Sequence, residues 1–215
     1  MADRFYPSDP ADAEVENGIW IHPSDDDTGS YRYKVNDRGY PFDPSAVIIA
    51  VDGACRGNGN PWARAAYGIY FGPRNWWNEC QTLDNSERGS RNWTSQRAEL
   101  WAALRALRKA HSLRARWDPN GDDDDDLEKV IVKADSEYVV KGMTKWVHKW
   151  LDNGWTNCKG LPVINADLFT KLVQQVRTLR GIGVEVLFWH VPRERNWQAD
   201  ELANDALDEE DDDEH

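Results

Sequence analysis

The sequence predicts an α/β domain, a five-stranded mixed sheet with helices on both of its faces. Three observations carry this expectation. Two short runs, "VIIAVD" ending at Asp52 and "VIVKAD" ending at Asp135, are almost continuously apolar, as strands covered on both faces are. Two further runs, "AAYGIYFG" and "WWNECQTL", are parted only by the turn "PRN" and read as hairpin-connected strands. Segments with apolar residues at three- and four-residue spacing lie between and after these runs, as in helices with one buried stripe.

Taken in order, residues 1–45 are rich in Asp, Pro, Gly and Tyr with little periodicity, so they read as an acidic extension of the core, with a short strand near Ile19 to Ile21. A first strand runs from Ala46 to about Asp52, and the loop "GACRGNGNPWAR" leads into the hairpin, giving a three-stranded antiparallel meander. Ser95 to about His111 is helical, with Leu100, Leu104, Leu107 and His111 on one stripe and Ala103, Ala106 and Ala110 beside it. The segment "DPNGDDDDD" repels itself and reads as an exposed acidic loop insertion at 118–127, before a strand from Lys129 to Asp135. "SEYVVKGMTKWVHKWLDNGW" reads as a helix broken at Gly142, and "NADLFTKLVQQVRTLR" as one that buries Leu168, Leu172, Val176 and Leu179. "VEVLFWHV" is the fifth strand, and Asn196 is placed to cap the last helix, "WQADELANDAL". The folded domain is thus expected over 46–207, with a disordered acidic tail at 208–215.

Composition narrows the function. The 215 residues carry a net charge of −12, which by itself disfavours nucleic acid as a partner. The acid is unevenly placed, however. Residues 1–45 hold 10 acidic and 4 basic side chains and 201–215 hold 9 and none, so the body at 46–200 has 22 basic against 19 acidic. A modestly basic body suits a phosphate backbone. No apolar stretch approaches the roughly 20 residues of a membrane span, and the first residues lack signal-peptide or transit-peptide chemistry, so an intracellular address in nucleus or cytoplasm is expected. Cys55, Cys80 and Cys158 are odd in number and lack C-x-x-C spacing, which argues against a disulfide framework or a zinc site and reads as reduced thiols. "GNGN" is no phosphate-binding loop, because no Gly-Lys-Ser/Thr follows it.

Four carboxylates stand out. Asp52 and Asp135 close the two buried strands, and Glu99 and Asp200 lie near the starts of two helices. Any one of them alone is more often a cap or a solvated charge. Four brought together would repel one another unless cations intervened, so the set reads as a metal site.

The contexts of these four, "DGACRGNG", "TSQRAELWA", "ADSEYVVKGMTKWVHKWLDNGW" with "GLPVIN", and "NWQADELAN", resemble the type 1 ribonuclease H family over about residues 46–207. The resemblance implies strand order 3-2-1-4-5 and hydrolysis of the RNA strand of RNA/DNA hybrids, leaving 5′-phosphate and 3′-hydroxyl ends. It also implies that Asp52, Glu99, Asp135 and Asp200 hold two Mg²⁺ (with Mn²⁺ as a substitute) about 4 Å apart, Asp52 bridging the pair. Asn58, Ser95 and Gln96 would line the RNA groove, where the 2′-hydroxyl separates RNA from DNA. Ser95 departs from the commoner Asn. Tyr138, Trp146 and Trp150 would meet deoxyribose, Thr94 and Asn165 a DNA phosphate, and Lys141, Lys145, Lys149 and Lys159 the backbone. The family's loop histidine before the last helix is missing from "WHVPRERNWQAD", and Glu194 is expected as its stand-in on the product side, with His190 assigned to the strand. A monomer that binds RNA/DNA hybrid follows from this reading. The alternative is a non-catalytic nucleic-acid or protein-binding module on the same fold.

Overall fold

The computed structural model describes residues 1–6, 20–23, 31–34, 46–73, 75–84, 92–117 and 127–213, with backbone only for 20–23, 31–34 and 210–213. Residues 118–126 of the loop insertion and most of the acidic extension lie outside these residues, while Leu127, assigned from sequence to the exposed loop, is an apolar side chain buried in the core. Eight strands are described: β1 (Asp3–Arg4), β2 (Trp20–Pro23), β3 (Tyr31–Lys34), β4 (Ala46–Arg56), β5 (Arg64–Tyr70), β6 (Glu79–Thr82), β7 (Lys129–Ala134) and β8 (Glu185–His190). The helices are α1 (Ser95–Trp117), α2 (Glu137–Lys141), α3 (Val147–Asp152), α4 (Ala166–Gly181) and α5 (Trp197–Asp213). β6-β5-β4-β7-β8 form the sheet in the order the resemblance implied, with β4, β5 and β6 antiparallel and β4, β7 and β8 parallel.

The sheet has six strands, not five. Asp3 and Arg4 pair in parallel with Leu187 and Phe188, Phe5 sets its ring edge-on to Trp189 at 5.3 Å, and Ala2 is buried. The start of the acidic extension is therefore stitched to the outer edge of β8. β2 and β3 make a separate antiparallel pair.

Alternation along β4 sorts the two cores. Val47, Ile49 and Val51 join the large cluster with α1, α2, α3 and α4, while Ile48 joins Ile131, Trp189 and Val191 on the other face. Two glycines let helices approach the middle of the sheet. A Cβ on Gly53 would stand 2.2 Å from the backbone of Ala98 and Glu99 in α1, and one on Gly68 would stand 2.2 Å from the Ala199 carbonyl oxygen in α5. Gly68 is the register partner of Asp52 and Gly53 is its chain neighbour, so the two close approaches deliver Glu99 and Asp200 to the same level of the sheet.

Several boundaries differ from the sequence expectation. β4 continues past Asp52 to Arg56, because Gly53 to Arg56 keep pairing with β5 after the parallel partner β7 has ended. α1 runs beyond His111 to Trp117, extended by buried Leu113. The helix is not broken at Gly142. It widens into a π-turn over Gly142–Trp146, in which Val147 N–H donates to the Gly142 carbonyl, where a Cβ on Gly142 would stand 2.4 Å from the Phe169 ring. α5 continues to Asp213, into the segment read as a tail.

Candidate active site

Asp52 sits where β4 outlasts β7, and Asp135 is the first residue beyond the end of β7. Both face the starts of helices α1 and α5. Asp52 is only 9% exposed. Burial pushes its carboxyl up to about 7, and the charges of Asp135, Asp200 and Glu99 push in the same direction against a hydrogen bond from the Gly53 N–H. Glu99 is likewise raised by burial and by Asp135, while the Ser136 hydroxyl and Arg193 oppose the shift. Asp135, Asp200 and Glu99 therefore all act on Asp52 across one site.

Three other side chains organise them. Ser136 caps α2 by accepting from Val139 N–H at 3.3 Å and donates its hydroxyl to Glu99. Asn196, read from sequence as a helix cap, is fully buried, and its Nδ2 donates to the Val51 carbonyl at 3.0 Å and to Asp135 Oδ1 at 3.1 Å. It ties the loop before α5 to β4 and to the carboxylate after β7. Arg193 Nη2 donates to Asp200 Oδ1 at 2.5 Å, and the guanidinium is held above its ordinary range by Asp200, Asp52 and Asp135. Of the loop residues, Arg193 and Asn196 bond to members of the quartet. The sequence signal for Asn196 was its position four residues before Asp200, one helical turn away. Arg193 had no such signal.

The link from β8 to α5 is short: Val191, Pro192, a 3₁₀ turn at Arg193–Arg195, and Asn196. Lys133 Nζ donates to the Arg195 carbonyl at 2.8 Å, and His190 Nε2 donates to the Asp135 carbonyl at 3.2 Å, so the link is held from both sides. His190 closes β8, the strand position assigned to it from sequence.

Asp52 also tests whether these residues suit a divalent cation. A carboxyl that burial first, and three neighbouring carboxylates after it, raise to about 7 is a hard-oxygen site that a cation would relieve, so the donor set fits Mg²⁺ or Mn²⁺. Among the described residues no three His, Cys, Asp or Glu side chains are closed into a metal-holding group. Glu99 accepts instead from the Ser136 hydroxyl and Asp200 from the Arg193 guanidinium.

Beside the quartet lies a cavity of about 550 Å³ lined by Asn58, Gly59, Asn92, Thr94, Ser95, Gln96, Arg97, Ile164 and Asn165. Five of the residues singled out from sequence thus share one wall system. Ser95 N–H donates to Asn58 Oδ1 at 3.0 Å, and Thr94 Oγ1 accepts from Arg97 N–H at 3.2 Å. Arg97 is 1% exposed and forks onto Asp167 at 3.1 and 2.8 Å while donating to Asn165 Oδ1 at 3.2 Å, which joins the start of α1 to the start of α4. Asn165 adopts φ +62°, and its Nδ2 donates to the Tyr138 hydroxyl at 3.3 Å. Asn92 and Ile164 line the cavity without having been anticipated.

From Tyr138 an aromatic row extends outward. Ring centroids lie 6.0 Å apart for Tyr138 and Trp146 and 5.8 Å for Trp146 and Trp150, with Phe169 beneath as a buried support. Trp146 is 37% exposed and Trp150 half-buried. Lys145, Lys149 and Lys159 are exposed along this edge, and Lys141 is paired with Glu137. No described helix is long and apolar enough to cross a membrane.

A family model described as RNase H matches residues 44–208. Ribonuclease H of Chromohalobacter salexigens is 35% identical over 167 residues, covering 78% of this chain and 87% of that protein. Ribonuclease H1 of Mus musculus is 30% identical over 165 residues, 75% of this chain and 50% of that protein. This chain spans about half the length of the mammalian relatives it matches. Among solved structures, LC11-RNase H1, isolated from compost, aligns with a TM-score of 0.52 at 24% identity over 77% of this chain and 97% of that one, a likeness of fold. With a family model covering most of its length and a relative 35% identical across nearly the whole of that relative, the chain belongs to the RNase H family.

Proposed function

We propose that this protein is an endoribonuclease that hydrolyses the RNA strand of RNA/DNA hybrids. The single observation that carries this reading is the gathering of Asp135, Asp200 and Glu99 around the buried Asp52 carboxyl. Two divalent cations, Mg²⁺ or Mn²⁺, would when bound neutralise charge building on the attacking and leaving oxygens of the phosphodiester. Asp52, Glu99, Asp135 and Asp200 would hold them, with the buried Asp52 among the other three. Ser136 and Asn196 hold Glu99 and Asp135 in place, and Arg193 acts on Asp200 from the loop. The expected products carry 5′-phosphate and 3′-hydroxyl ends.

Recognition divides along the cavity. Asn58 accepts from Ser95 N–H through its side-chain oxygen and keeps Nδ2 as a donor, so Asn58, Ser95 and Gln96 are suited to the ribose hydroxyl. Tyr138, Trp146 and Trp150 offer flat faces to deoxyribose. Thr94 supplies a hydroxyl to a DNA phosphate, and Asn165, engaged with Arg97 and Tyr138, shapes the wall behind it. The same reading has the protein acting as an intracellular monomer.

The test offers the protein RNA/DNA hybrid, double-stranded RNA and duplex DNA with Mg²⁺, beside an Asp52→Asn variant. Cleavage confined to the hybrid and lost in the variant supports the proposal. Hybrid binding without cleavage by the unaltered protein would instead assign it to a non-catalytic binding module.

A further inference from the structure

Trp62 is the most exposed large apolar side chain among the described residues, at 70%, yet it is firmly held. Asn60 N–H donates to the Gly57 carbonyl at 2.9 Å and Ala63 N–H to the Asn60 carbonyl at 3.0 Å, so two successive turns close around it, with Pro61 fixing the backbone just before. Its six-membered ring rests against Gly57, whose φ is +69°. A Cβ there would stand 2.2 Å from Cζ3, 2.6 Å from Cε3 and 2.8 Å from Cη2. Gly57 is therefore a seat for the indole, which leaves the rest of the ring to solvent.

This seat is joined to the cavity wall. Asn58 and Gly59 follow it directly, and three hydrogen bonds zip them to the entry of α1: Ser95 N–H to Asn58 Oδ1, Gly59 N–H to the Trp93 carbonyl at 2.8 Å, and Asn92 Nδ2 to the Gly59 carbonyl at 2.8 Å. Trp62 thus adjoins the wall assigned to the RNA strand, whereas the wall of Ile164 and Asn165 leads to Tyr138 and the DNA side.

We propose that Trp62 is a stacking platform for an unpaired nucleobase of the RNA strand, at a point where the hybrid duplex ends. This rests on the hybrid-binding reading above. Inside a duplex both faces of every internal base are covered by neighbours, so a rigid, open indole finds a free face only at a duplex end, and two-sided access to the base only on a nucleotide beyond the paired region. Stacking accepts any base, because every base has a π-face, and the amides and hydroxyls beside the seat serve the sugar of the adjoining nucleotide. The protein would then favour hybrids that carry a single-stranded RNA extension.

Fluorescence anisotropy in chelator, where no strand is cut, compares a blunt hybrid with the same hybrid bearing a short RNA extension at either end. The unaltered protein should bind one of the extended hybrids at least about fivefold more tightly than the blunt one. Trp62→Ala should lose that increment with unchanged affinity for the blunt hybrid and an unchanged melting temperature, and Trp62→Phe should keep most of it. Trp76→Ala, a control at another exposed indole in the β5–β6 connection, should keep all of it. Absence of any increment in the unaltered protein, or an equal loss on blunt and extended hybrids in Trp62→Ala, overturns the proposal. Failure of the unaltered protein to bind any hybrid overturns the reading beneath it instead.

Discussion

An aspartate in an unfolded chain titrates near 3.9, whereas burial, reinforced by the neighbouring carboxylates, pushes Asp52 up to about 7 in the folded protein. Its folded pKa is raised, so ionising it opposes folding, and stability declines as pH rises from about 4 to about 7. The penalty at pH 8 is roughly 2–4 kcal/mol without metal. Asp52→Asn should therefore abolish cleavage and yet raise the melting temperature in chelator at pH 8, with little gain at pH 4.5; equal effects at both pH values would refute the electrostatic account. Divalent-ion affinity should rise with pH up to about 7, as the carboxyl gives up its proton. Asn196→Ala removes the donor shared by Val51 O and Asp135 Oδ1 and should destabilise the fold by roughly 1–3 kcal/mol in urea titration while lowering kcat. The four carboxylates were legible in the sequence because each sits in a distinctive run, whereas Asn196 passed as a cap and Arg193 went unnoticed. Their importance comes from where a short loop lands, which a linear pattern does not carry.

At the scale of elements, glycines decide how the site is assembled. Gly53→Ala and Gly68→Ala each drive a Cβ into helix backbone, and each should destabilise by at least about 2 kcal/mol and reduce activity, because α1 and α5 must back away with Glu99 and Asp200. Between β5, β6 and α1 lies a separate polar cluster. Burial alone would raise the Glu79 carboxyl, but hydrogen bonds from Lys109, Tyr67 and Arg105 outweigh it and hold the group at about 2. A depressed carboxylate pKa stabilises the fold above its unfolded value near 4.5 and loses that contribution as pH falls toward 2. Glu79→Gln should accordingly destabilise by roughly 2–3 kcal/mol at pH 7, with the difference from the unaltered protein fading by pH 2. Helix and strand identities were readable from periodicity at nearly every element. The π-turn at Gly142 was not, because a glycine in a helical pattern reads as a break until the Phe169 ring beneath it is known.

At the scale of the whole molecule, the sheet order followed from the family pattern, but the sixth strand did not. Asp3 and Arg4 have no strand signature, and their pairing depends on the open edge of β8 and on the contact between Phe5 and Trp189. Phe5→Ala should lower stability by roughly 1–2 kcal/mol with cleavage retained, as read from chemical denaturation. The uneven charge has its own consequence: a body with 22 basic and 19 acidic side chains between residues 46 and 200 should bind hybrid with an affinity that falls steeply as salt is raised. The central claim is that the buried quartet cuts only the RNA strand, and only with a divalent ion. It is tested most directly by incubating a hybrid labelled on both strands with the full chain, in Mg²⁺ and in chelator. Shortening of the RNA strand alone, in Mg²⁺ alone, is the predicted result; cleavage of the DNA strand, cleavage in chelator, or an intact RNA strand under saturating Mg²⁺ would contradict it.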